Sequence, residues 1–129
     1  MKINFKGFSA NIKPMLYHNE RTICLYLVDE NTNPVLTVTA LPVGFTVPWG
    51  SIPVKNYSEN KGIYQAMRKH EIIDRYTHSV QQGHVDILIC PMRPRLKRYC
   101  FDQLAEVYVD SYLSSGQLAE LCGLDPEQL

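Results

Sequence analysis

Three of the four histidines, the four cysteines and one short basic run are the residues of this chain whose chemistry reaches beyond packing. His78 lies six residues before His84, and His84 six before Cys90, on segments expected to pair as strands. A His/His/Cys metal site would have to be assembled there, with His70 further off; zinc sites, however, are normally built from closer ligand pairs. A Cys-His nucleophile would need Cys90 or Cys100 beside His84 and a thiol whose pKa is lowered. The only cations near those cysteines are Arg93, Arg95, Lys97 and Arg98, and a cysteine inside the apolar run VDILIC reads as a core residue. The carboxylates are dispersed: Asp29 and Glu30 fall at a turn, and Asp102 and Glu106 lie one helical turn apart, as on a solvated helix face. No phosphate-binding glycine loop, HExxH or GxSxG occurs. These residues imply no metal, no cofactor and a non-enzymatic role.

The run RPRLKR, residues 93–98, is the one concentration of charge. Cations in a loop entering a helix can meet phosphates, and Tyr99 and Phe101 add faces on which bases could stack. The plainer reading is a solvated helix start, although cations there oppose the helix dipole. The second conspicuous stretch is PVGFTVPWGSIP, residues 42–53, with three prolines, two glycines and the only tryptophan. That proline density excludes a central strand. Phe45, Val47 and Trp49 then either fold back onto a sheet or form an exposed apolar loop that anchors a partner.

The elements around these residues follow from periodicity. Residues 2–12 alternate apolar and polar, with Gly7 expected as a bulge and Pro14 as the end of the strand. RTICLYLVD and VLTVTAL, separated by a turn-rich Glu30–Pro34, predict a hairpin. Ile52–Ile73 organises the chain: a short strand, Ser58 as expected N-cap, Glu59 at the positive end of the dipole, and a helix near 59–70. Ile63, Ala66, Met67 and His70 share its inner face, and Gly62 marks close packing on the sheet. Residues 75–80 and 85–90 predict a second strand pair. Helical patterns follow over about 96–113 and 117–122, the last ending at Gly123 as a C-cap. GQLAELCGLDPEQL is similar to the first helix and turn of a helix-turn-helix, but the residues where its recognition helix would run have scarcely begun at Leu129.

The expected fold is therefore α+β: one antiparallel sheet of about five to six strands, one central covering helix, and C-terminal helices. Residues 1–92 are expected as a β-rich domain and 93–129 as a helical extension packed on it. At 129 residues the chain supports one core, and its 45% apolar and 20% charged content is ordinary for a globular protein. Zero formal net charge argues against broad attraction to nucleic acid or anionic membrane. No apolar run is long enough to span a membrane, and the N-terminal residues lack a signal-peptide core. Scattered cysteines without a C-x-x-C pair read as reduced thiols in a cytoplasmic protein. Exposed edge strands leave a homodimer open.

LYLVDENTNPVLTVTALP and VKNYSENKGIYQAM carry a resemblance. Residues 21 to about 92 resemble a small uncharacterised domain family carried by phages and conjugative elements of gut bacteria. That family's second stretch typically reads V-K-D-Y-S-E-N-x-G before a helix. Here Asn56 stands in place of the acid, while Tyr57, Ser58, Glu59, Asn60 and Gly62 match. Gly83 followed by an alternating strand is also similar, and the tail from Arg93 departs from the pattern. The resemblance implies an α+β domain, a mobile-element origin in a bacterial host cell, and no catalytic residues. It further implies a binding protein, of the kind that blocks a host defence nuclease such as a CRISPR effector. The expected contacts are Phe45, Val47, Trp49 and Tyr57 as apolar anchors and Arg93, Arg95, Lys97 and Arg98 as charged ones. The alternative is a nucleic-acid-binding accessory protein using residues 93–98.

Overall fold

The computed structural model describes residues 1–129. Strands β1 (Lys2–Phe5) and β2 (Phe8–Leu16) form a hairpin through a two-residue turn at Lys6-Gly7, with Phe5 opposite Phe8. Gly7 is thus part of a turn and not of a bulge. β3 (Ile23–Val28) pairs with β2, and β4 (Pro34–Thr37) pairs with β3 across the expected hairpin, giving a four-stranded antiparallel sheet in chain order. A second sheet follows: β5 (Ser51–Lys55) and β6 (His78–Gln82) flank β7 (Val85–Pro91), all antiparallel.

Seven strands in two sheets replace the single sheet expected from the sequence. The backbone between Val38 and Ala40 explains the division. Val38 N–H donates to Leu25 O in the first sheet, while Ala40 N–H donates to Pro53 O and Lys55 N–H to Val38 O in the second. One residue pair, Thr39 with Val54, joins the sheets there. Pro42, three residues on, has no N–H with which to extend the pairing.

Pro14 does not end β2. β1 pairs only as far as Asn11, so the outer edge of β2 is open beyond it. Two tyrosines of helix α2 (Pro94–Tyr108) take over that edge: Tyr99 Oη donates to Ile12 O at 2.6 Å, and Leu16 N–H donates to Tyr108 Oη at 3.3 Å. Pro14 sits between them, where the missing N–H leaves nothing unpaired.

Helix α1 (Ile63–Lys69) is shorter than expected and sits to one side, against β1 and β5. α2 packs against β2, an inner strand of the large sheet. A separate 3-10 turn, Ser58–Asn60, precedes α1, and Ser58 itself takes a φ of 56° and caps nothing. The N-cap of α1 is Gly62, whose φ of 97° is what demands glycine; a Cβ there would meet only Phe5, at an ordinary 3.7 Å. The capping oxygen comes instead from Asn56, whose Oδ1 accepts from Gly62 N–H at 3.1 Å and Tyr64 N–H at 3.0 Å.

α2 and α3 (Ser115–Leu121) share one core with the strands. Leu96, Cys100 and Leu104 of α2 and Leu118, Ala119 and Cys122 from the α3 region pack in one cluster with Ile12, Leu25, Ile52 and Met67. Each large side chain buried this way contributes about 1.5–3 kcal/mol. Ser114 and Gln117 form a capping box at the start of α3. At its end, Gly123 N–H donates to Glu120 O and Leu124 N–H to Ala119 O, the Schellman pattern that makes Gly123 the expected C-terminal stop. A 3-10 turn, Pro126–Gln128, follows, and no recognition helix continues within the chain. No helix is long and apolar enough to cross a membrane.

Candidate functional site

The proline-rich loop divides at Pro48. Before it, the apolar side chains fold back: Val47 is 4% exposed and clusters with Ile87 and Ile89 on the outer face of the small sheet, with half-buried Phe45 and Tyr57 packed on the same cluster. Phe45 also stacks on His78 with ring centroids 5.4 Å apart, and Lys55 lies 5.4 Å from the Tyr57 ring. Val47 is therefore a core residue and no surface anchor, because the second sheet needs a cover on this face.

Trp49 behaves differently. It is 53% exposed, at the corner of a Pro48–Ser51 turn closed by Ser51 N–H to Pro48 O. The next residue fixes the turn from both sides: Gly50 N–H donates to Leu121 O at the end of α3, and Met92 N–H donates to Gly50 O. Gly50 and Gly123, with φ of 83° and 81°, meet backbone to backbone, so close that a Cβ on Gly123 would fall 2.6 Å from Gly50 Cα. Lys97 lies over this contact, its Cε 3.1 Å from that Cβ position. The indole is thus carried on a backbone bonded to α3 and to the end of β7.

Beside Trp49 is a cleft of about 140 Å³ lined by Glu20, Arg21, Leu113, Gln117, Glu120 and Leu121. Leu113 follows Tyr112, which is 67% exposed and stacked on Tyr108 at 6.1 Å. The floor is apolar and the rim polar. None of Glu20, Arg21 or Glu120 takes part in an ion pair; those of the chain are Lys55–Glu59, Arg93–Asp74 and Arg98–Asp102.

The basic run is engaged within the fold. Arg95 Nη2 donates to His70 O at 3.0 Å, at the C-terminal end of α1. Arg95, at the start of α2, thus meets the negative end of the neighbouring helix dipole, which resolves its apparent misplacement. Arg93 lies 3.7 Å from Asp74, and Arg98 lies 3.2 Å from Asp102 and over the Phe101 ring. Arg93 and Arg95 line a shallow cleft with Glu71 and Pro94. The Met1 ammonium stands near Arg95, Lys2 and Lys13; partial burial, and then those cations, lower its pKa.

The four cysteines are buried and unpaired. Burial pushes the Cys90 and Cys122 thiols up to about 12 and drives Cys100 upward as well. This is the opposite of an activated nucleophile. Cys100 Sγ lies 3.9 Å from Met92 Sδ. The His78, His84 and Cys90 segments do pair, yet both histidines are exposed and Cys90 is buried, and no three His, Cys, Asp or Glu side chains converge on one point.

Sequence reasoning named Trp49 but missed its partners in the cleft. Glu20 and Arg21 come from the β2–β3 turn and the others from the α2–α3 region, far apart in the chain. One signal was present: all thirteen Lys and Arg precede Tyr99, whereas residues 99–129 carry six Asp and Glu and no Lys, Arg or His. Comparison of the chain with protein-family models, with characterised proteins and with solved structures finds no match.

Proposed function

We propose that this chain is a non-enzymatic binding protein that engages a protein partner through the Trp49 cleft. The observation that carries the reading is an exposed tryptophan held on a rigid turn beside an apolar floor and inside a polar rim. Binding energy at protein interfaces concentrates on such anchors, tryptophan foremost, where surrounding contacts exclude water. A backbone already fixed loses little conformational freedom on docking.

The resemblance of residues 21–92 to a domain family of phages and conjugative elements supplies the partner class. It makes a host defence nuclease, a nucleic-acid-guided one among them, the target, and the bacterial cytoplasm the setting. Nucleic acid bound through Arg93, Arg95, Lys97 and Arg98 is the competing reading. The internal partners of Arg93, Arg95 and Arg98 speak against it, since cations already paired release fewer counterions on meeting phosphate.

Affinity capture from bacterial host lysate, with nuclease and at two salt concentrations, tests the proposal. Retention of a protein by the wild type but not by Trp49→Ala is expected at both salts. Material lost on nuclease treatment, or at high salt in both proteins, would refute it and favour the basic run.

A further inference from the structure

The cleft beside Trp49 has a charge as well as a shape. Glu20 and Glu120 stand on its rim against the single cation Arg21, and none of the three is ion-paired. The C-terminal segment that supplies most of the lining has the same sign, and Lys97 is the cation beside it, over the Gly50–Gly123 contact. Of the six acids in residues 99–129, only Asp102 has an ion-pair partner, and no basic residue follows Arg98. Zero net charge for the whole chain thus conceals a division: +6 for residues 1–98, with thirteen Lys and Arg against seven Asp and Glu, and −6 for residues 99–129. Trp49, Leu113 and Leu121 lie where the negative segment meets the apolar cleft.

Resting on the binding role proposed above, we infer that the occupant of this cleft is a cationic, apolar-tipped segment of a protein: one aliphatic or aromatic side chain flanked by Lys or Arg. Size and charge both select it. A volume of about 140 Å³ matches the roughly 150 Å³ cavity that holds a benzene ring, so it takes one large side chain. Uncompensated carboxylates on the rim draw in flanking cations and repel an acidic segment or a phosphate backbone within a Debye length of roughly 8–10 Å. A basic surface on a nucleic-acid-handling protein has this chemistry, and its occlusion would need no enzymatic step.

Because Trp49 is the only tryptophan, its emission reports on the cleft without a label. The full-length chain is titrated with four probes: a ten-residue peptide alternating Arg and Leu, one alternating Glu and Leu, one alternating Arg and Gly, and a ten-nucleotide oligothymidylate. The Arg–Leu peptide is expected to shift the emission to the blue saturably, and the other three to leave it in place. Glu20→Gln combined with Glu120→Gln, both at the surface, should raise the Kd of the Arg–Leu peptide about five- to tenfold. An equal response to the Glu–Leu peptide, a response to oligothymidylate, no response to Arg–Leu, or an unchanged Kd in the double variant each overturns the inference. Trp49-dependent capture of a protein that the double Gln variant retains at full strength would leave the binding role standing and remove only the cationic occupant.

Discussion

Replacing Asn56 with alanine removes the one side-chain oxygen that serves the first turn of α1. Two backbone donors, Gly62 N–H and Tyr64 N–H, lose their partner in a half-buried setting. Each such bond contributes a net of about 1 kcal/mol, and helix caps as a group about 0.5–2 kcal/mol, so a loss of roughly 2 kcal/mol is expected. For a domain of this length that corresponds to a fall in Tm of roughly 8 °C. Asn56→Asp keeps an acceptor in place and adds a negative charge at the start of a helix dipole. It should equal or exceed the wild type in stability. Circular dichroism melts of the three proteins decide the matter. A Tm within about 2 °C of wild type for Asn56→Ala, or an equal fall for Asn56→Asp, would refute the capping role.

Three further outcomes follow from the packing. Gly123→Ala must open the backbone contact with Gly50 besides adopting a strained φ, and should cost about 2–4 kcal/mol in urea unfolding, with a redder Trp49 emission as the turn loosens; a loss under about 1 kcal/mol would contradict the close approach. Tyr99→Phe should lose about 1 kcal/mol by freeing Ile12 O on the open edge of β2, and no loss would mean that the edge is satisfied otherwise. Stability should fall at alkaline pH. The buried thiols of Cys90, Cys100 and Cys122 have folded pKa values raised above their ordinary 9.0, so their contribution is complete below about pH 9 and is lost as pH climbs toward the raised folded values, about 12 for Cys90 and Cys122. At pH 10 each unfolded thiol gains about 1.4 kcal/mol by ionising, together about 4 kcal/mol, and the urea midpoint should drop accordingly between pH 8 and 10. An unchanged midpoint, or rapid alkylation of a native cysteine at neutral pH, would contradict this.

The strands were legible where pattern and turn chemistry agree. The β3–β4 hairpin, the β6–β7 pair and the Gly123 stop are all local, each set within a few residues. What the sequence concealed depends on partners far along the chain. Pro14 read as a strand end because its missing N–H matters only if a neighbour is present, and tyrosines more than eighty residues away decide that none is needed. Ser58 had the right type for a cap, yet Asn56 has the reach, because the intervening 3-10 turn brings it back over Gly62. The basic run read as an open patch because the carbonyl at the end of α1 and the Asp74 carboxylate that engage it are distant in sequence. Trp49 was visible as a candidate, but its cleft joins two turns and a helix that only the fold brings together.

The central claim is that Trp49 anchors a protein partner. Capture from nuclease-treated host lysate, comparing the wild type with Trp49→Ala at low and high salt, tests it most directly. The account predicts a protein retained by the wild type at both salts and lost from the variant. Equal retention by the two, or retention confined to low salt and dependent on Arg93, Arg95, Lys97 and Arg98, would contradict it.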